Sequence, residues 1–125
     1  MVDRFHSVFK EGLFEGQVIL VTGGGTGIGR CIAHELAHLG AHIVLSGRRT
    51  EPLETVTAEI AEAGGSASWK AMNIREQETV HEVIGEIVKD HGSLDAVINN
   101  AGGQFASPAA MIRPKGWRAV VDTGP

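Results

Sequence analysis

The chain of 125 residues contains no tyrosine and a single cysteine. One cysteine excludes an internal disulfide and is typical of a reducing compartment, so we expect a cytoplasmic protein. No apolar run approaches the roughly 18 residues that a membrane-spanning helix needs. The first residues also lack the apolar stretch of a signal peptide. From these absences we expect that the protein is not secreted and has no membrane partner.

Positive charge is also scarce in this sequence. The chain has 11 lysines and arginines and 15 aspartates and glutamates, which gives a net charge of −4. The basic residues are not clustered in the sequence. Because a nucleic-acid-binding protein needs clustered cations to neutralise phosphates, we expect no nucleic-acid partner. The apolar fraction of 42% is that of a globular chain, and this length suits one domain with a usable core.

Glycine, in contrast, is concentrated in one stretch. An apolar run over 18–21 leads into residues 22–29, which read Thr-Gly-Gly-Gly-Thr-Gly-Ile-Gly. Since glycine loses much conformational entropy on folding, such a cluster indicates positive φ angles or a ligand close to the backbone. A strand that enters a helix through this turn directs free N–H groups at an anion, typically a nucleotide pyrophosphate. A turn that serves only packing is the alternative, but it needs fewer glycines.

The hydrophobic pattern predicts four strands that alternate with four helices. We place strands at 18–21, 42–46, 67–72 and 94–98, and helices at 26–39, 50–63, 76–90 and 114–122. Residues 1–16 form an N-terminal arm whose aromatic side chains lie against the body, or a short helix, and residues 17–125 form the main domain. The short connections predict an α/β fold with a doubly wound parallel sheet and right-handed crossovers.

The first predicted helix carries two further patterns. Ile28, Ile32 and Leu36 recur at helical spacing, which predicts the buried face, and Cys31 beside them is expected to be a small buried residue. His34 and His38 belong to a His-Glu-x-x-His pattern that is typical of zinc metalloproteases. Each histidine lies about 200° around the helix from an apolar position, so the pair should face solvent and we predict no metal site.

Unusual residues follow each predicted strand at its carboxyl end, where ligands bind in open parallel sheets. They are the glycine turn, Arg48 and Arg49, Asn73, and residues 99–103. No acid ends the second strand to bind the ribose 2′-hydroxyl of NAD, whereas a guanidinium matches the oxygens of a 2′-phosphate. The two arginines therefore favour NADP(H) over NAD(H), with a solvated loop as the alternative interpretation.

Two motifs in this order, Thr-Gly-x-x-x-Gly-Ile-Gly at 22–29 and Asn-Asn-Ala-Gly at 99–102, resemble the short-chain dehydrogenase/reductase family. The resemblance covers residues 14–123 and implies an NAD(P)-binding Rossmann domain. It implies that the cofactor-binding residues are Gly23, Gly25, Thr26, Gly27, Ile28 and Gly29 at the pyrophosphate, Arg48 and Arg49 at the 2′-phosphate, Asn73 and Ile74 at the adenine, and Asn100, Ala101 and Gly102 at the ribose. Asn99 is implied to hold the central strands. Some NADP-dependent members carry a basic residue at the position of Thr26, so its absence leaves the arginines as the main argument for NADP(H).

Finer segments point to a substrate class. Residues 73–75, 102–108 and 115–117 look like the peroxisomal trans-2-enoyl-CoA reductase branch of the family. The run at 29–36, with Gly-Gly-Gln-Phe at 102–105, is also similar to bacterial citronellol and citronellal dehydrogenases. The resemblance therefore implies an acyl-CoA or terpenoid small-molecule substrate, and hydride transfer to or from a carbonyl, an alcohol or an enoyl group.

The family's chemistry uses a serine, a tyrosine with a lysine four residues later, and a supporting asparagine. This sequence has no tyrosine, and Gly124 stands where the supporting asparagine is expected. We therefore predict a Rossmann-type sheet truncated after about the fourth strand and its following helix, without catalytic residues and without turnover. A non-catalytic nucleotide-binding or interaction module is the alternative. Full-length relatives are expected to be homo-oligomers.

Overall fold

The computed structural model describes residues 6–102 and 107–122. Its elements are β1 (Val18–Thr22), α1 (Gly27–His38), β2 (His42–Gly47), α2 (Thr50–Glu62), β3 (Ser66–Ala71), α3 (Gln77–His91), β4 (Ala96–Ile98), a 3-10 helix (Ala109–Met111) and α4 (Pro114–Val121). The predicted alternation of strands and helices is confirmed, with ends that differ by one or two residues. Part of the predicted 102–108 segment lies outside the described residues, as do Phe5 and Gly124.

The four strands form one parallel sheet in the order β3-β2-β1-β4. The chain moves outward from β1 through β2 to β3 and then returns to the other side of β1. This reversal creates a switch point between β1 and β4, at which ligands bind in doubly wound folds. Because Thr22 pairs with Ser46 and Val21 with Ile98, the carboxyl ends of the three strands lie side by side.

Helices cover the sheet on both sides, so the inner strands are buried throughout. The side chains of Ile43 and Leu45 pack with Leu53 of α2 in one core cluster. Val44, whose side chain points the other way, packs with Ile87 of α3 in a second cluster. Burial on both faces explains why β1 and β2 read as unbroken apolar runs rather than as alternating patterns.

The buried side of α1 agrees in part with the predicted one, since Ile32 and Leu36 pack against the first core cluster and Ile28 does not. Gly29, Ala33 and Ala37 are its buried residues, whereas Ile28 is 74% exposed. The small residues recur at a spacing of four, which lets the helix backbone approach the sheet closely. A search for large apolar residues misses such a stripe, because glycine and alanine contribute little hydrophobic signal.

The opposite side of α1 contacts α2 rather than solvent alone. His34 Nε2 lies 2.8 Å from Glu59 Oε2, so the prediction that both histidines face solvent is wrong for His34. Arg30 Nη2 lies 2.5 Å from Glu59 Oε1. Burial raises the pKa of Glu59, but the hydrogen bonds from Arg30 and His34 outweigh it and leave that pKa below its ordinary value. Cys31, predicted to be buried, is exposed.

The N-terminal arm runs past the end of α1 in a series of turns. The backbone N–H of Phe14 donates to the carbonyl of Leu39 at 2.9 Å, and the Phe14 ring packs on the core. Phe9 is 57% exposed, so the expectation that the aromatic side chains lie against the body holds for Phe14 and fails for Phe9.

Strand β4 lies at one edge of the sheet and, within the part of the chain that the structure describes, pairs only with β1. Val97 at its centre is 42% exposed, and Trp117 and Val121 of α4 are exposed as well. An apolar strand edge is a template for pairing with another chain. We therefore expect this chain to self-associate or to be weakly stable.

Sedimentation velocity over a range of concentrations checks this expectation. The mass should rise with concentration, and Val97→Lys should suppress the rise because charge on an edge strand opposes pairing. Val8→Lys is the matched control, since Val8 is exposed on the arm, away from β4. A single monomeric species with cooperative melting would contradict the expectation.

Candidate functional site

A cavity of about 540 Å³ opens at the carboxyl ends of β1, β2 and β3. This volume lies within the usual range for small-molecule sites. The residues that line it are Gly23, Gly25, Thr26, Ser46, Gly47, Arg48, Arg49, Pro52, Leu53, Met72, Asn73, Ile74, Ala101 and Gly102. The switch-point topology thus brings segments from four separate stretches of sequence to one cavity.

Two glycines allow the close approach between β1 and α1 at this cavity. Gly23 has φ +66°, and a Cβ there would lie 3.0 Å from Asn100 Nδ2. A Cβ at Gly29 would lie only 2.2 Å from the carbonyl oxygen of Gly23. Any side chain at Gly29 would therefore push the start of α1 away from the strand, which explains a requirement for glycine without reference to a ligand.

The buried hydroxyl of Thr22 joins β1 to the segment after β4. Its oxygen accepts hydrogen bonds from the backbone N–H groups of Asn100 and Ala101, both at 3.0 Å. The hydroxyl donates to the carbonyl of Ile98 at 3.2 Å. A hydroxyl has one proton and two lone pairs, so Thr22 uses its full capacity here. This role was not predicted, although a hydroxyl residue at the end of a buried strand is a signal for it.

The N-termini of two helices open toward the cavity without side-chain caps. Thr26 is the N-cap of α1 in an extended conformation, and no side-chain hydrogen bond caps the helix. Arg49 is the N-cap of α2, and again no side chain caps the helix. Thr50 is the first helical residue of α2 and directly follows this N-cap. The first-turn N–H groups, together with the positive end of each helix dipole, favour an anion there.

The charge around the cavity has one sign. Arg48 and Arg49 line it, and the lining residues include no aspartate or glutamate. Neither guanidinium is hydrogen-bonded or ion-paired to any residue in 6–102 or 107–122, whereas Arg30 on the outer side of α1 is paired with Glu59. Two cations are therefore available to an anionic ligand at this end of the sheet.

The floor of the cavity comes from the ends of β2 and β3. The backbone N–H of Met72 donates to the carbonyl of Gly47 at 2.8 Å, and Asn73 Oδ1 accepts from the N–H of Arg75 at 3.1 Å. The Ser46 hydroxyl is buried and has no hydrogen-bond partner among the described residues. Ser46, Gly47 and Met72 were not predicted, because only tertiary structure shows which strand-end residues form a floor.

Most predicted cofactor-binding residues line this cavity, and five do not. The five are Gly27, Ile28, Gly29, Asn99 and Asn100. Gly27 lines a groove between the arm, α1 and α2 instead. Asn99 was expected to hold the central strands, but its side chain forms no hydrogen bond within the described ranges. That contact falls to Asn100, whose Nδ2 donates to the Gly23 carbonyl at 3.2 Å.

The resemblance to a zinc motif has no counterpart in the geometry. Within residues 6–102 and 107–122, no three or more His, Cys, Asp or Glu side chains are grouped so that they could hold a metal ion. The helices of the same residues are all too short or too polar to cross a membrane.

The family model described as short chain dehydrogenase matches residues 17–124. The chain therefore belongs to the short-chain dehydrogenase family, whose members are NAD(P)-binding oxidoreductases, and the predicted Rossmann-type fold is confirmed.

Several proteins of known name or structure are similar to this chain. A probable 2,4-dienoyl-CoA reductase of Bacillus subtilis is 39% identical over 86% of this chain and 42% of its own length. A solved citronellol catabolism dehydrogenase (AtuB) of Pseudomonas aeruginosa is 52% identical, with a TM-score of 0.90 over 95% of this chain and 48% of that chain. A metagenomic short-chain oxidoreductase, solved in complex with NADP, is 37% identical with a TM-score of 0.82 over 87% of this chain and 50% of that one. The chain thus spans less than half the length of the curated relatives that it matches.

Thr22→Val tests the contribution of the hydroxyl contact to folding. The substitution removes the acceptor of the Ala101 N–H, whereas the Asn100 N–H keeps the Ile98 carbonyl at 3.0 Å. A stranded N–H group costs about 1–3 kcal/mol of unfolding free energy. Urea denaturation should show the loss. Thr55→Val is the control, because the Thr55 hydroxyl donates only to the Glu51 carbonyl on the exposed side of α2. Equal midpoints for the two variants would contradict the assignment.

Proposed function

We propose that this chain binds NADP(H) in the cavity and is the cofactor-binding part of a short-chain oxidoreductase. The observation that carries the proposal is the pair of guanidinium groups, Arg48 and Arg49, which are unpaired within the described part of the chain and line a cavity to which the same part contributes no acidic residue. A site for NAD(H) would place a carboxylate at the end of β2 to bind the ribose 2′-hydroxyl. A guanidinium there suits the additional phosphate of NADP(H).

The residues present fit a dinucleotide along the whole cavity. Gly23 and Gly25 offer backbone without side chains, and the uncapped start of α1 offers first-turn N–H groups, which suit a pyrophosphate. Asn73 and Ile74 would hold the adenine, while Ala101 and Gly102 would border the ribose. The cofactor supplies or accepts the hydride when it is bound. The protein's part in this proposal is to bind and orient the dinucleotide and to neutralise its phosphates.

The substrate class is the finer part of the proposal. Two relatives are named as 2,4-dienoyl-CoA reductases, and a relative of solved structure is named as a citronellol catabolism dehydrogenase. These names support an enoyl-CoA or terpenoid alcohol or aldehyde as the substrate of the full-length enzyme. The sequence has no tyrosine to act as the general acid/base that the family resemblance implies. We therefore expect the 125-residue chain to bind dinucleotide without turnover.

Arg48→Ala tests the choice of cofactor. Loss of a charged hydrogen bond to the 2′-phosphate costs about 1.5–3 kcal/mol of binding, so NADPH affinity should fall roughly 10- to 150-fold. NADH affinity should stay nearly constant, because NADH has no 2′-phosphate. Fluorescence titration with both nucleotides measures the difference, with Arg30→Ala as a control outside the cavity. An equal loss for NADPH and NADH would contradict a 2′-phosphate role.

Gly47→Asp gives the reciprocal test. A Cβ at Gly47 would meet only Leu53 side-chain atoms at 3.5–3.9 Å, which is ordinary contact. The new carboxylate would repel a 2′-phosphate and accept from a 2′-hydroxyl. We expect the NADPH/NADH affinity ratio to fall about tenfold or more, equivalent to ~1.4 kcal/mol. Gly47→Asn has the same shape without the charge, and an equal fall in that variant would show that charge is not the cause.

A further inference from the structure

Two histidines stack at the end of the sheet opposite the cavity. His42 is the first residue of β2, and His91 is the last residue of α3. Their ring centroids lie 4.3 Å apart, and the ring planes are inclined by 35°. The contact therefore joins the last turn of α3 to the sheet through two imidazole rings.

The His42 ring is fixed in orientation by β3. Its Nδ1 lies 2.6 Å from Ser66 Oγ, and its Nε2 lies 3.1 Å from Ser68 Oγ. A hydroxyl either donates or accepts, so both serines can serve a neutral ring as well as a protonated one. The hydrogen bonds therefore fix the orientation of the His42 ring on β3 in both protonation states, so a change of charge acts on the position of His91 rather than on that of His42.

Burial lowers the pKa of His42, and the neighbouring His91 lowers it further. The other charged groups around the ring are engaged elsewhere. Lys70, on the same face of β3, pairs with Glu86 at 3.0 Å and Asp90 at 3.4 Å on α3. Asp95, beside the start of β1, accepts from the Val18 N–H at 2.7 Å. Lys89 in the last turn of α3 adds positive charge only.

We propose that the His42–His91 contact is pH-sensitive: the uncharged rings hold the last turn of α3 on the sheet, and protonation of His42 releases residues 88–93. The release stops at residue 87 because Val83 and Ile87 are buried in the second core cluster, and it stops at residue 94 because Leu94 packs against the same cluster. Lys70 keeps its ion pair with Glu86 and loses the one with Asp90, which lies in the released turn.

The direction of the pH effect follows from proton uptake. A released His42 binds a proton near its ordinary pKa of 6.5, whereas the stacked ring binds it only at lower pH. The released form therefore carries more protons between these two pH values, and acid favours it. The form with stacked rings prevails above about pH 6.5, and it is lost as the pH falls through the pKa of the stacked His42 ring.

Amide hydrogen exchange of the 125-residue chain at pH 7.5 and 5.5, corrected for the intrinsic rate, tests the proposal. Exchange over residues 88–93 should accelerate at pH 5.5 by up to about tenfold for each unit by which the pKa of His42 is displaced. Amides of α1 and β1 should keep their protection. Uniform acceleration throughout the chain would contradict a local release.

His91→Gln removes the second ionisable ring and keeps a polar side chain. The NMR titration midpoint of His42 should move upward, and the acceleration at pH 5.5 should shrink. His81→Gln is the matched control, because His81 is exposed on the same helix and outside the pair. An unchanged His42 midpoint, or equal acceleration in His91→Gln and the wild type, would overturn the proposal.

Discussion

The Thr22 hydroxyl is the contact on which the rest of the site depends. The Thr22 side chain is buried, and it joins the end of β1 to three backbone groups at and just after the end of β4. Because buried backbone groups need partners, these bonds fix where the chain leaves β4. Ala101 and Gly102 are thereby held beside the glycine turn, and the switch point becomes a cavity with a defined wall.

The close approach of α1 to the sheet is the second constraint. Gly29, Ala33 and Ala37 leave no bulk between helix and strands, so the uncapped start of α1 comes directly over the end of β1. The same arrangement explains why the cavity wall is bare backbone rather than side chain. The arginines on the two sides of α1 differ in their partners. Arg30 pairs with Glu59 on the outer side of the helix, whereas Arg48 and Arg49 line the cavity and remain available to a ligand.

The sequence predicted the fold because burial on both faces gives parallel strands long apolar runs. It predicted much of the cavity because the carboxyl ends of such strands meet at one edge. Ile28 was wrongly predicted to be buried, because hydrophobic periodicity is detected from large apolar residues and not from a row of small ones. The His34–Glu59 contact joins residues 25 positions apart, and no local pattern encodes it. Asn99 and Asn100 are alike in sequence, and only the path of the chain decides which one contacts Gly23.

The two ends of the sheet satisfy polar groups in opposite ways. At the amino end, the His42 ring is bonded by Ser66 and Ser68, so its polarity is used within the protein. At the carboxyl end, two helix N-termini have no side-chain cap, and two guanidinium groups have no partner among residues 6–102 and 107–122. Between the two ends of the sheet, every residue of β1 is buried. A less stable segment can open locally while such a buried strand stays folded. Proton uptake at His42 should therefore leave the nucleotide cavity undisturbed, because the elements that line it keep their packing when the last turn of α3 is released.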